Sequence, residues 1–344
     1  MSATNENQPA DAPGNVTEPE LHGLLFESSP YGNLDAIVQH DERVLFFYLN
    51  GDDSFGTRAC WVRNLIPAPL VINQNDLEAG RPPLMPKTHC RSNEPGQLPD
   101  PTSLSIVWFE EGNGASLYEY DQLIAIIPPW SGTDGFHGYS DQCAIESPIA
   151  WPMIENEQLT ARINNAKKFW ESCTSESQHP FASLQPQILQ AYQSAFGQSG
   201  KYYSLDGGKF PPRGAMLYRS ENEVTIASVG MSLRPQPNVE MSVEHPAELR
   251  RIEIAIRLQT NCSDQELAPL LEQFSGLVGY PWQVFTWFGQ GHTCQFSSLA
   301  KFTAPPTEMV QFEATPTVGT QEPINMPNFR GDPIRLLWLN PDGI

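Results

Sequence analysis

Apolar residues follow two different rhythms along the chain, and the change falls near residue 150. Before it, apolar positions come in short runs bounded by turn formers. Arg43 to Leu49 is aromatic and β-branched and is closed by Asn50-Gly51-Asp52-Asp53, which predicts a strand and a turn. Cys60-Trp61-Val62, Leu104 to Phe109, and Leu123 to Ile127 (stopped by Pro128-Pro129) predict three more strands. No stretch here carries the spacing of a long amphipathic helix. Prolines every few positions between residues 66 and 101 predict a long irregular excursion over the surface.

Beyond the change, helical spacing appears. Leu159, Ile163, Ala166, Trp170 and Cys173 make one stripe, and Leu184, Ile188, Tyr192, Ala195 and Phe196 make a second that ends at Gly197. A third helix opens with a capping box, Ser263 and Glu266, and continues through Leu267, Leu270, Leu271, Phe274, Leu277 and Val278. Gly279 is the expected stop. Between the helices, Val224 to Leu233, Trp282 to Phe288 and Ile334 to Leu339 read as strands. Ile252, Ile254, Ile256 and Leu258 alternate with charged residues and Ala255, which predicts a strand with one buried and one wet face. Elements in this order, without regular βαβ alternation, predict an α+β fold of two mixed domains.

Charge sharpens the boundaries. Residues 1–20 hold four acids, three prolines and no base, and are expected to form a disordered acidic tail. Residues 21–150 carry 17 acids against 6 bases, and residues 151–344 carry 19 against 14. Glu146-Ser147-Pro148-Ile149-Ala150-Trp151-Pro152 lies at the step, so the expected division is a strand-rich N-terminal domain over 21–152 and a second domain over 153–344.

The whole chain of 344 residues has a formal net charge of −20 and is 40% hydrophobic, enough for a sizeable core. Such an acidic protein repels phosphate backbones and anionic membranes, so neither nucleic acid nor membrane is an expected partner. Met1 to Asn7 has no base and no apolar stretch behind it, so no secretory signal is expected and the cytoplasm is the expected location. The six cysteines are widely scattered without a C-x-x-C pair and read as free buried thiols.

Candidate chemistry is sparse. Phosphate-loop, zinc-protease, nucleophile-elbow and dinucleotide motifs are absent. Trp287-Phe288-Gly289-Gln290-Gly291-His292-Thr293-Cys294 presents a histidine on a glycine turn, with Cys294 as a conceivable nucleophile or, more simply, a thiol beside a tight turn. His137, with Asp134, Asp141 and Cys143 nearby, matches no standard zinc spacing, and no metal or cofactor is expected. Glu110-Glu111 beside Gly112-Asn113-Gly114 reads as a solvated hairpin rather than a catalytic carboxylate pair. Arg330 and Asp332 in Phe329-Arg330-Gly331-Asp332-Pro333 read as a pinned turn, with partner binding as the alternative.

Residues from about 155 to 344 resemble the Suppressor of fused domain family, bacterial type. The resemblance rests on Val224 to Ser232, Arg251 to Leu258, Pro281 to Thr293 with its Trp-Phe-Gly-x-Gly-His-Thr stretch, and Phe329 to Leu339. It implies a non-enzymatic protein-binding module. Animal members clamp an extended peptide by strand addition, and many bacterial members are regarded as immunity proteins that neutralise toxins. This chain departs from the animal pattern at Leu233-Arg234-Pro235-Gln236-Pro237, where the animal proteins carry a peptide-contacting tyrosine. The expected partner is a protein, either a basic toxin domain or an extended peptide. The expected contacts are Trp287, Gly289, Gly291, His292, Thr293, Arg330 and Asp332. The rival expectation is an enzyme using His292 with Cys294 or a nearby carboxylate. Oligomeric state is left open.

Overall fold

Short apolar runs separated by turns can bury themselves only by pairing, and the first half of the chain does so in two mostly antiparallel sheets. The computed structural model describes residues 20–153, 156–175, 179–197, 200–319 and 322–341. The expected tail therefore lies, except for Glu20, outside the described residues. β1 (His22–Ser28), β2 (Asp35–His40), β3 (Val44–Asn50) and β4 (Thr57–Asn64) form a sheet in that order. The excursion that follows holds a five-residue helix, α1 (Gln74–Glu78), and otherwise only irregular chain and short 3-10 turns. A second sheet runs in order through β5 (Leu104–Trp108), β6 (Ala115–Glu119), β7 (Gln122–Ile127), β8 (Tyr139–Ser140) and β9 (Trp151–Pro152). The two sheets share one core, in which Val38, Phe47 and Trp61 pack with Leu117, Ala125 and Ile127. β1, β2 and β6 had no distinct sequence signal, because their apolar runs are only two or three residues long.

The second half is built on one eight-stranded sheet. α2 (Glu157–Cys173) and α3 (Pro180–Phe196) precede β10 (Gly200–Ser204), β11 (Gly214–Arg219) and β12 (Glu223–Val229). Then come α4 (Val239–Ser242), β13 (Arg251–Gln259), α5 (Asp264–Gln283), β14 (Thr293–Gln295), β15 (Met309–Glu313), β16 (Asn328–Phe329) and β17 (Asp332–Pro341). The order across the sheet is β10-β11-β12-β13-β17-β15-β14, with β16 paired to β17. Among its described strands only the β13–β17 pair is parallel. Helices and mostly antiparallel sheets make the fold α+β.

Four expectations are corrected. β13 has no wet face: Ile254 and Ile256 pack under α5 with Leu267 and Phe274, while Ala255 on the opposite face packs with Phe169, Leu184 and Tyr192 of α2 and α3. A sheet covered on both sides removes the solvent that the alternation implied. β12 stops at Val229, because Gly230 takes φ 98° and turns the chain into a 3-10 turn through Leu233. α5 passes Gly279 and ends at Gln283, so Trp282 is helical, and residues 284–288 are a turn followed by irregular chain, not a strand. The capping box is present at its start as expected. Among the six free thiols only Cys60 and Cys143 are buried, the others being half-buried.

Candidate functional site

Opposite charges collect where the two halves meet. The turn between β5 and β6 carries Glu110 and Glu111, and neither is solvated; Glu111 is 3% exposed. The cause is the arginines facing them. Glu110 takes ion pairs from Arg251 at 2.5 Å and Arg330 at 3.0 Å, and Glu111 pairs with Arg162 of α2. Arg251 also reaches Asp332 at 3.2 Å, and Arg250 bonds the same carboxylate at 2.9 Å. Glu240 of α4 then joins Arg250 at 3.1 Å to Arg162 at 3.2 Å. The result is one alternating series, Glu111–Arg162–Glu240–Arg250–Asp332–Arg251–Glu110–Arg330. Burial lifts the Glu111 carboxyl above its ordinary value, and Arg162 only partly pulls it back. Burial opposes the Arg162 charge too, but Glu111 and Glu240 carry that guanidinium above its ordinary value. The series lines a half-open cleft of only about 70 Å³, and its charges pair with one another across the halves.

Two of the expected contact residues are thus paired within the molecule: Asp332 is buried, and Arg330, an exposed residue, commits its guanidinium to Glu110. The other five lie elsewhere. Trp287, Gly289, Gly291, His292 and Thr293 belong to the connection from α5 into β14, at one edge of the large sheet. The Gly291 N–H donates to the Phe312 carbonyl at 2.8 Å, and the Phe312 N–H donates back to the His292 carbonyl at 2.8 Å. The Trp287 indole lies across Gly289, where a β-carbon would collide with it, and stands edge-on to the His292 ring at 4.4 Å. Phe312 pairs with Leu339, seven residues beyond Asp332 along β17, so the fold does not bring the two groups together. Cys294 is half-buried, and burial pushes its thiol up to about 11. Among the described residues no hydrogen bond links it to His292, and no group of His, Cys, Asp and Glu is placed to hold a metal. Likewise, no described helix is long and apolar enough to cross a membrane.

The charge series also positions α2, and α2 completes a groove that sequence reasoning missed. Arg162 anchors the helix to Glu111 and lies over the Phe109 and Trp130 rings at 5.7 and 5.3 Å. Farther along, the Trp170 indole donates to the Trp108 carbonyl at 2.8 Å, while the Trp108 indole donates to Glu27 of β1 at 2.9 Å. The space left between these elements is about 420 Å³. Its floor is Ile106 and Val107 of β5 with Tyr118 of β6, its sides are Glu27 with Pro30 and Trp170 with Lys167 and Glu171, and Tyr120 and Asp121 stand at the rim.

Both sheets offer an outer strand beside this groove, because among the described strands β1 and β5 each have a neighbour on one side only. In β5 the bonds to β6 fall on alternate residues: Tyr120 N–H to Ser103 carbonyl at 2.7 Å, and Phe109 N–H to Gly114 carbonyl at 3.0 Å, frame the pairs Ser105–Tyr118 and Val107–Ser116. The backbone groups of Ile106 consequently point away from the sheet, as does the Trp108 N–H. Tyr120, 74% exposed, takes φ 53° at the β6–β7 turn, a conformation that costs a bulky residue on the order of 1 kcal/mol. Phe26, beside Glu27 on β1, is 67% exposed. The sequence marked β5 as a strand, but which strand lies at an edge depends on pairings that no local pattern encodes.

Against known proteins, no family model matches the chain and no curated protein matches it.

Proposed function

We propose that the protein is a non-enzymatic protein-binding module of Suppressor of fused type, an immunity or regulatory protein that sequesters a protein partner. The observation that carries this reading is the groove over β5, with Ile106 backbone groups facing outward, an apolar floor and a strained, exposed Tyr120 at the rim. An extended segment can add there as a further strand, its backbone supplying affinity and its side chains filling the pocket. Among the described residues the groove carries Glu27, Asp121 and Glu171 against one base, Lys167, which favours a segment mixing apolar residues with Lys or Arg. The resemblance of residues 155–344 and the net charge of −20 point to the same class of partner. The thiol form of the enzymatic alternative, His292 with Cys294, loses support because burial raises Cys294 to about 11, where little thiolate exists at neutral pH.

Selection of a displayed library of extended peptides against the intact protein tests the proposal. Basic, apolar sequences are expected to be enriched. Ile106→Pro deletes an outward N–H and leaves the β5–β6 ladder intact, so it should weaken the selected peptides at least about 10-fold. Asp121→Lys should weaken them at low salt, and Tyr120→Asn should weaken them while leaving the melting temperature equal or higher, since Asn tolerates φ 53°. Enrichment without sequence bias, or full affinity in Ile106→Pro, would exclude this groove as the binding site.

A further inference from the structure

The irregular excursion of residues 65–101 meets the connection between β8 and β9 in an isolated antiparallel bridge, in which Cys90 stands opposite Cys143. The bonds that define it come from the flanking residues: Arg91 N–H to the Gln142 carbonyl at 2.9 Å, and Ala144 N–H to the His89 carbonyl at 2.8 Å. Cys90 and Cys143 therefore form a pair that exchanges no backbone bonds, the antiparallel arrangement with the closest α-carbons (about 4.5 Å) and both side chains on one face. A disulfide spans α-carbons roughly 4.4–6.8 Å apart. We propose that Cys90 and Cys143 are a disulfide-forming pair, closed by exchange with a small-molecule disulfide such as oxidised glutathione.

Each thiol now rests on backbone carbonyls, Cys143 on Ile145 at 3.1 Å and Ala150 at 3.4 Å, Cys90 on Pro86 at 3.4 Å. These are weak bonds, and a side-chain rotation releases them. In the exchange, the Cys90 thiolate attacks one sulfur of the small disulfide and expels a thiolate, which takes up the proton that Cys90 lost. Cys143, deprotonated in turn, attacks the Cys90 sulfur and expels the second thiolate. The cysteine pair gives up two electrons and two protons, and one small disulfide becomes two thiols. Burial lifts both thiols, Cys143 to about 11, so exchange on the folded protein is slow and the bridge closes most readily while the chain folds. Cys60 is the internal control. It is buried near Cys143, but it lies in β4 opposite Phe47, and its thiol rests on the Tyr139 carbonyl at 3.4 Å.

Expression of the intact chain in cells with an oxidising cytoplasm, followed by digestion without reduction and mass spectrometry, tests the pair. The expected product is one cross-linked peptide containing Cys90 and Cys143, with four of the six thiols still titratable and a melting temperature raised by on the order of 5 °C over the reduced protein. Cys90→Ser and Cys143→Ser should each abolish that cross-link. Six titratable thiols in the purified protein, or a cross-link that maps to Cys60, would overturn the proposal. Slow appearance of the same link when native protein meets oxidised glutathione at pH 8.5 would support it independently.

Discussion

Glu253 lies in the middle of β13 with no solvent around it and four donors aimed at its carboxylate. The Gly230 and Ser232 N–H groups each approach at 3.0 Å, the Ser232 hydroxyl at 2.6 Å, and the Ser228 hydroxyl completes the set. Burial raises its pKa despite these bonds. The group holds the chain where β12 ends, because Gly230 must take φ 98° there and has Phe181 and the Pro212 carbonyl pressed against the place of a side chain. Replacing the carboxylate by an amide turns some of those donors toward an NH₂ group that cannot accept. Glu253→Gln should therefore cost about 2–3 kcal/mol, read as a lower urea midpoint at unchanged slope. A midpoint equal to that of the wild type would show that the donors find other acceptors.

Whole elements tell which signals are local and which are not. The start of α5 was legible because its cap is local: the Ser263 hydroxyl accepts from the Glu266 N–H, and the Glu266 carboxylate accepts from the Ser263 N–H at 2.7 Å. Its end was not legible. Gly279 is a competent stop, but Pro281 and Trp282 are buried beyond it, and the Trp282 indole donates to the Pro235 carbonyl at 2.8 Å. Tertiary burial carries the helix past its local terminator. Asp264 adds a pH-dependent anchor at the start, held by Lys201 and Arg219 at 2.7 Å and by the Tyr203 hydroxyl at 2.9 Å. Those bonds, Lys201 first, hold its carboxyl well below the usual carboxylate range. Between the native value and the unfolded value of about 3.9, the unfolded chain binds more protons, so stability is lost as the pH falls through that window. The contribution is complete above about pH 5. The stability gap between wild type and Asp264→Asn should accordingly shrink as the pH is lowered from 6 toward 2; a gap constant across that range would show that the anchor is not ionic.

At the scale of the molecule, the two halves are joined by a charge series whose members are distant in sequence; Glu110 and Arg330 are 220 residues apart. In the sequence Glu110-Glu111 and Arg250-Arg251 are doublets of like charge, and a doublet reads as solvated. Only the fold sets the doublets against each other and removes the water. Arg251, 2% exposed, also donates to the Ser232 and Leu233 carbonyls at 3.2 and 2.7 Å. Arg251→Met should cost about 3–5 kcal/mol, because it strands acceptors and weakens the neutralisation of two buried carboxylates. Removing Arg335, whose pair with Glu248 is half exposed, should change stability by no more than about 0.5 kcal/mol. Thermal melts of the two variants separate the cases, and equal losses would deny the series a structural role.

The strand order of the large sheet has a consequence for how the protein is made. β17 comes last among the described strands, yet it sits between β13 and β15 and is the neighbour through which β14 and β15 join the sheet. During synthesis the ribosome delivers the central strand after both of its flanks. Until it arrives, Ile254 on one flank and Phe312 on the other belong to a core that cannot close. The growing chain then carries an open apolar seam, an invitation to chaperones and to aggregation, whereas β1–β4 and β5–β8 can each pair in the order in which they emerge.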